Sequence, residues 1–426
     1  MASFFIPLTG LEADSTALNT IANDLSNMNT TAFKAQTTNF SDLFYQQVGE
    51  TGSGNPILQG AGTQVASNST DFSQGSYDTS GTGASDMAID GNGFFIVQNS
   101  SGADLYTRNG AFTQNLNGNL VTSNGLSLMG YPATNGVVDT SAPLIPITTP
   151  LTGEVQAPNA TTTFSMTANL DSEATTSFPA TISVFDSLGA SHNVTIDFTQ
   201  TAPGTWTYSA NLPAADFTGG AAPAPLTGTL QFDQNGNLTT VAQGAGAPVN
   251  VGTATGDISG IPLSFSGLAD NSATLNLNWN LMGPAGTPNI SQVDETSAVS
   301  GTTADGNAAG TCTGFTIGSD GTVTAQYTSG TQIVGRVALA NMTNLQGLDM
   351  MGNGDYATTL ASGTATTGPS GTGGLGNIQD SALEDSNVNI SSEFSDLIIA
   401  QRGFEADSKA VTTFDTVAQD TINMVH

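Results

Sequence analysis

The chain has 426 residues, enough for two or three domains, and a formal net charge of −30. Its five basic residues are Lys34, Arg108, Arg336, Arg402 and Lys409, with none between 109 and 335. Clustered Lys and Arg are what displace phosphate counterions, so this distribution argues against nucleic-acid binding and against attraction to an anionic membrane surface. The single cysteine, Cys312, rules out an intrachain disulfide framework and any multi-thiolate metal site. No apolar run approaches the ~18 residues of a membrane-spanning helix. The start, MASFFIPLTG, has neither a basic n-region nor a small-residue cleavage site. The expectation is a protein that stays in the cytoplasm or leaves by a route needing no cleaved signal.

The first predicted element is a helix. In LTGLEADSTALNTIANDLSNMNTTAFKAQ, steps of seven pass through Leu11, Leu18, Leu25 and Ala32, with Ile21 and Met28 alongside. That is a coiled-coil-like stripe. Thr9 and Glu12 make a T-x-x-E capping box that would start this helix, while Pro7 suits the first turn of an earlier start. From about 72 to 365 the texture changes to short β-runs broken by Gly and Asn. DGNGFFIV (90–97), NLNGNLVTS (115–123), DQNGNLTTV (233–241) and GSDGTVTAQY (318–327) each set NG or DG among alternating residues. Such dipeptides supply the positive φ of tight antiparallel hairpins. TISVFDSLGASHNVTIDFTQ and GTWTYSANLPA read as further strands. The Pro-rich 140–158 suggests a domain boundary near 148, and the polar run 294–311 a return near 300. GTATTGPSGTGGLG (363–376) reads as a flexible connector. The last element is a second helix, with sevens at Ile390, Leu397, Phe404, Val411, Ala418 and Val425, and Phe414 flanking the stripe. Asn389 or Ser391 can cap it, and Glu393 in the first turn suits the helix dipole.

The predicted fold class is therefore mainly β with paired terminal α-helices, nested β domains being inserted between two helices that form a coiled-coil-like inner domain. The expected division is 1–45 and 381–426 for the terminal helical domain, and 46–75 and 363–380 for a connector. A first β domain takes 76–147 and 299–362, and an outer β domain 148–298. The helical seams are the candidate interface: Leu11, Leu18, Ile21, Leu25 and Met28 at one end, Ile390, Leu397, Phe404, Val411, Phe414 and Ala418 at the other. Two readings compete for what they pack against. One is an intramolecular helical hairpin docked on a β domain; the other is many copies packed side by side.

Signals of chemistry are weak. GTGGLG (371–376) fits G-x-G-x-x-G but follows low-complexity sequence rather than a strand. Asp233 to Asn237 begins like a calcium loop, yet lacks Gly at the sixth position and the final Glu, and reads as a hairpin turn. His192 stands alone on a strand and His426 is the last residue, so neither forms a Ser–His or Cys–His pair. Cys312 reads as a small buried hydrophobe. Arg108 reads as half of a structural ion pair. Thirty-five acidic residues guarantee carboxylate pairs by chance, so none marks a glycosidase. The expectation is no enzyme, no metal and no cofactor.

Four blocks carry a resemblance. ANDLSNMNTTAFKA (22–35), DGNGFFIV (90–97), YTRNGAFTQNLNGNLVTSNGLSLMGY (106–131) and SNVNISSEFSDLIIAQRGFEADSKAV (386–411) resemble, in order, blocks of the bacterial flagellar rod and hook axial proteins. VFDSLGASHNVTIDFTQTAPGTWTYS (184–209) and GTLQFDQNGNL (228–238) are similar to the middle domain of the hook members, which the shorter rod proteins lack. The resemblance implies a structural hook subunit that polymerises into a curved helical tube, a flexible joint carrying torque from rod to filament. It implies that the terminal helices line the channel and that the chain pairs with itself. Its further partners would be the distal rod protein, hook–filament junction proteins, the hook cap during assembly and the flagellar type III export apparatus. Its place would be the extracellular hook, reached without a cleaved signal. A distal rod subunit is the nearest alternative, against which the 148–298 segment argues. A secreted β-rich enzyme or adhesin is the alternative from another class, and no catalytic cluster or cleaved signal supports it.

Overall fold

The computed structural model describes residues 5–80, 83–134, 136–252, 254, 256–283 and 286–424. It is mostly β, with one helix near each end: α1, Phe5–Ser26, and α2, Ile390–Met424. α1 starts earlier than the capping box predicts. Pro7 is buried in its first turn, and Thr9 lies inside the helix with its hydroxyl donating to the Ile6 carbonyl at 2.8 Å. Proline is tolerated there because the amide it lacks has no helical partner in any case. α2 begins as expected. The Asn389 Oδ1 accepts the amides of Ser391 (3.0 Å) and Ser392 (3.3 Å), satisfying two of the unpaired first-turn donors.

The chain forms two units. One contains the residues up to Thr149, Phe315–Thr324 and those from Ile333 on; the other, inserted in it, contains Pro150–Gly314 and Ala325–Gln332. The return crossing thus falls later than the expected 299, because the strand Ala298–Ala304 pairs with Thr163–Asp171 of the inserted unit.

In the first unit, Phe94–Gln98 is central. It pairs with Asp104–Thr107, with Ser127–Thr134 and, through Phe94 and Phe95, with Ala340 and Leu339. Side chains alternate across a strand, and here both faces are covered. Phe95 and Val97 join Met87, Ile89, Phe112, Leu128 and Leu339, while Phe94 and Ile96 join Tyr106, Tyr131, Ala340 and Tyr356. The four residues FFIV are all buried as a result. The Gly of DGNG do not close a hairpin, since Met87–Asp90 pairs with Asn377–Asp380 rather than with Phe94–Gln98. Residues 363–380, expected as a flexible connector, contain two paired strands, Thr366–Pro369 and Asn377–Asp380. GTGGLG is a tight turn closed by the Gly371 amide on the Gly376 carbonyl at 2.9 Å.

The second unit is two sheets around one core. Phe178–Phe185, Ser191–Ala202, Thr205–Asn211, Leu226–Phe232, Leu238–Gln243 and Val249–Asn250 pair in chain order as an antiparallel meander. The DQNGNL turn joins two of them. Asp233 Oδ1 accepts the amides of Asn235 and Asn237, and Gly236 takes φ +78°, so this is the hairpin turn expected and not a calcium loop. The other sheet is mixed, where the hairpin signals of the sequence predict antiparallel pairing: Thr163–Asp171 runs parallel to both Leu275–Asn280 and Ile290–Val293. Every second residue of Thr163–Asp171 (Phe164, Met166, Ala168, Leu170) points into the core with Trp206, Tyr208 and Trp279. The Phe164 and Trp279 rings stack at 6.2 Å, and Tyr208 meets Trp279 edge-on at 5.6 Å. Cys312 is buried in this unit, as expected.

Candidate functional site

The two ends of the chain meet twice, once through α1 and α2 and once through a buried ionic node. The helices run antiparallel. Gly10 lies against the Asp407 carboxylate, Asp14 against Gly403, and Asp24 near Glu393. A Cβ at Gly10 or Gly403 would occupy the space the opposing carboxylate fills. The residues of α1 that lose water are Pro7, Ala13, Ala17, Thr20 and Asp24, and on α2 only Ala400 is fully buried. Small residues let two backbones approach but bury little apolar area. A cavity of about 370 Å³ remains between the helices and the strand Gln36–Asp42, lined by Ala17, Thr20, Thr38, Ile399 and Ala400 among others.

The predicted seam residues fare differently. Leu11, Leu18, Ile21 and Leu25 are half-buried on α1, and Met28 is exposed beyond its end. Leu18, Ile21 and Leu25 each follow the buried Ala17, Thr20 and Asp24 by one residue, a rotation of about 100°. On α2, Leu397 and Val411 are half-buried, while Ile390, Phe404, Phe414 and Ala418 are exposed. Val425 and His426 lie outside the described residues. From Thr412 to Met424 every residue of α2 is exposed, Phe414, Val417, Ile422 and Met424 included. The 35 residues of α2 outrun the 22 of α1.

Acid groups collect where the helices touch. Asp24 is fully buried; one carboxylate oxygen accepts the Gln36 amide at 2.8 Å and the other has no partner. Burial raises the Asp24 pKa against that hydrogen bond. Burial, then the Asp24 and Asp396 charges, raise Glu393, and burial with Asp407 raises Asp14. Each shift follows from disfavouring charge in a partly dry, already acidic place.

The ionic node lies at the other meeting point. Lys34 Nζ is 2.6 Å from Glu384 Oε1 and donates to the Ser73 carbonyl at 2.7 Å. Arg108 reaches Glu384 Oε2 at 3.5 Å, donates to the Gly91 carbonyl at 2.7 Å and lies over the Phe94 ring. All three charged side chains are buried. Around them the Ala32 amide donates to the Glu384 carbonyl at 2.7 Å, and Asn387 binds the Ala35 amide and the Asp71 carbonyl, each at 2.8 Å. Arg108 is thus the structural ion pair expected. Its partner Glu384 was not foreseen, because the two are far apart in sequence and only folding brings them together. Residues from all four quoted blocks converge here: Lys34, Gly91, Arg108 and Asn387.

Similarity to known proteins fits this arrangement of joined ends with β units between. Residues 379–424 match the model of the flagellar basal body rod FlgEFG protein C-terminal. Residues 88–169 match that of the flagellar hook protein FlgE/F/G D1 domain, and 151–307 that of the flagellar basal body protein FlaE D2 domain. These three matches define a flagellar axial protein. The chain is 33% identical to the flagellar hook protein FlgE of Salmonella typhimurium, covering 99% of this chain and 100% of that one. It is 33% identical to the Escherichia coli protein of the same name, over 99% and 100%, and 31% to that of Treponema pallidum, over 100% and 99%. The chain belongs to the flagellar hook protein family and is a structural subunit of the hook. Among the described residues no helix is long and apolar enough to cross a membrane.

Proposed function

We propose that copies of this chain polymerise through their terminal helices into a curved helical tube, a flexible joint passing torque from rod to filament. The carrying observation is the exposed stretch 412–424 of α2, with Phe414, Val417, Ile422 and Met424 open to water. A helix that leaves four large apolar residues exposed in the single chain has apolar area left to bury. Contacts between non-identical patches of successive copies do not close, and so build a filament. On this reading 1–45 and 381–426 form the inner tube, and the outer β domain is the inserted unit, Pro150–Gly314 with Ala325–Gln332. The seam residues Leu11, Leu18, Ile21, Leu25, Met28, Ile390, Leu397, Phe404, Val411, Phe414 and Ala418 then face neighbouring copies as well as the partner helix.

The proposal extends to the ends of the tube. The distal rod protein would hold one end, junction proteins the other, and a cap would sit on the growing tip. Export would run through the flagellar type III apparatus with α1 retained, a reading supported by the docking of α1 on α2. The work of the subunit is mechanical, without catalysis. Electron microscopy of the purified chain under assembly conditions tests this. Curved hollow tubes are expected; a chain that stays monomeric at every concentration and salt tried would contradict it.

A further inference from the structure

His192 is not the isolated strand residue its sequence suggests. Its Nδ1 is 3.0 Å from Asp216 Oδ2, and its Nε2 is 3.3 Å from Asp186 Oδ2. A carboxyl oxygen of Asp270 completes a set in which the donor atoms of Asp186, His192 and Asp270 all lie within 4.8 Å of one another. We propose that Asp186, His192 and Asp270 form a binding site for a divalent transition-metal cation, Zn²⁺ fitting best, within the second unit.

Four observations carry it. First, Asp186 is built to present one oxygen. Its Oδ1 accepts the Leu188 and Ala190 amides at 2.9 and 2.8 Å, closing the turn before Ser191–Ala202, and this leaves Oδ2 directed at the imidazole. Second, Asp216 stands where an outer carboxylate orients a metal-binding histidine. A proton on Nδ1 donated to Asp216 leaves the Nε2 lone pair facing Asp186 and Asp270. Third, three carboxylates surround one imidazole in a unit with no lysine or arginine, since none occurs between 109 and 335. Asp186 and His192 are buried, so their charge is poorly screened by water. Fourth, Ser272 reaches the Asp186 side chain from the same loop as Asp270. The Ala273 amide next to it donates to Ser187 Oγ at 3.0 Å, which ties this loop to the Asp186 turn.

The donor set decides the cation. One imidazole nitrogen and two carboxylate oxygens suit Zn²⁺, with water completing the shell on the exposed Asp270 side; Ca²⁺ prefers oxygen donors alone. Such an ion would staple the sheets together. Asp186 and His192 belong to the six-stranded meander, and Asp270 lies between Gly260–Phe265 and Leu275–Asn280 of the other sheet.

The experiment uses the full chain, dialysed against chelator and titrated calorimetrically with Zn²⁺ and with Ca²⁺ at physiological salt. The expected result is one Zn²⁺ per chain, with Ca²⁺ bound at least 10-fold more weakly. Asp270 is exposed, so Asp270→Asn tests the site without burdening the core, and it should weaken Zn²⁺ at least 10-fold. Asp216→Asn should cost 10-fold or more while the 1:1 stoichiometry persists, as an orienting partner does. Absence of a 1:1 Zn²⁺ site, equal binding of Ca²⁺, or unchanged binding by Asp270→Asn would each overturn the proposal. The last would show only general attraction to an acidic surface.

Discussion

In the second unit Trp206, Trp279, Tyr208 and Phe198 are wholly enclosed. In the helix pair the enclosed residues are Pro7, Ala13, Ala17, Thr20, Asp24 and Ala400, while Phe394, Ile398, Ile399 and Phe414 face water. Large aromatic side chains bury enough area to hold a fold by themselves; small and acidic ones do not. The difference teaches how one chain separates two tasks. The sandwich encloses its own large apolar residues, and the helices leave theirs open, which is the area the proposed contact between copies would use.

The contrast breaks most visibly at Trp279. Trp279→Ala removes a ring that packs on Phe164, Tyr208 and Phe198 and should cost about 3–5 kcal/mol, read as a lower denaturant midpoint of the sandwich transition. A change below ~1 kcal/mol would mean that the core does not depend on its aromatic centre.

Next in size is the ionic node that fastens both ends of the chain to the first unit. Glu384→Gln leaves Lys34 and Arg108 buried with no anion, and breaking a buried pair in this way costs roughly 3 kcal/mol. Melting of the first unit should fall while the sandwich transition holds. If both fall together, the node acts on more than the ends.

How much of this was legible in the sequence differs between the same two regions. Period seven in both helices was readable, and so was the cap at Asn389. The contact face was not, because Gly10 and Gly403 matter only for what the opposite helix places over them. The sevens through Leu18 and Leu25 mark a stripe one residue away from the enclosed Ala17 and Asp24. In the sandwich, alternation exposed the strands Phe178–Phe185 and Ser191–Ala202. The parallel pairing of Thr163–Asp171 stayed hidden, since its partners lie more than a hundred residues along the chain and no local turn records the register. His192 looked solitary for the same reason: Asp216 and Asp270 reach it from separate loops.

A smaller effect comes from acid. Asp14, Asp24 and Glu393 have raised pKa values in the docked helices, so the docked state holds protons more tightly than the separated one. Their contribution is complete below the ordinary carboxylate range near pH 4 and is lost as pH rises through the raised values. Asp396 and Asp407 face the same region, and the cations Arg402 and Lys409 lie exposed on α2. Amide exchange of α1 should therefore slow, after correction for intrinsic rates, as pH falls from 7 towards 4. Asp24→Asn keeps an acceptor for the Gln36 amide and removes the charge. It should leave the pair at pH 7 unchanged or firmer and flatten the acid response; a looser pair at pH 7 would contradict this.

The sharpest test leaves the single chain untouched. Val417 and Ile422 are well exposed, so Val417→Ser with Ile422→Ser should leave the melting curve of the monomer where it was. On the proposed packing the same substitutions remove apolar area that copies would bury, about 1.5–3 kcal/mol for each side chain fully covered. The measurement is the critical concentration for assembly of the double variant against the unaltered chain. A rise of 10-fold or more with an unchanged monomer melt is the predicted result. An unchanged critical concentration would show that the open end of α2 is not where copies meet.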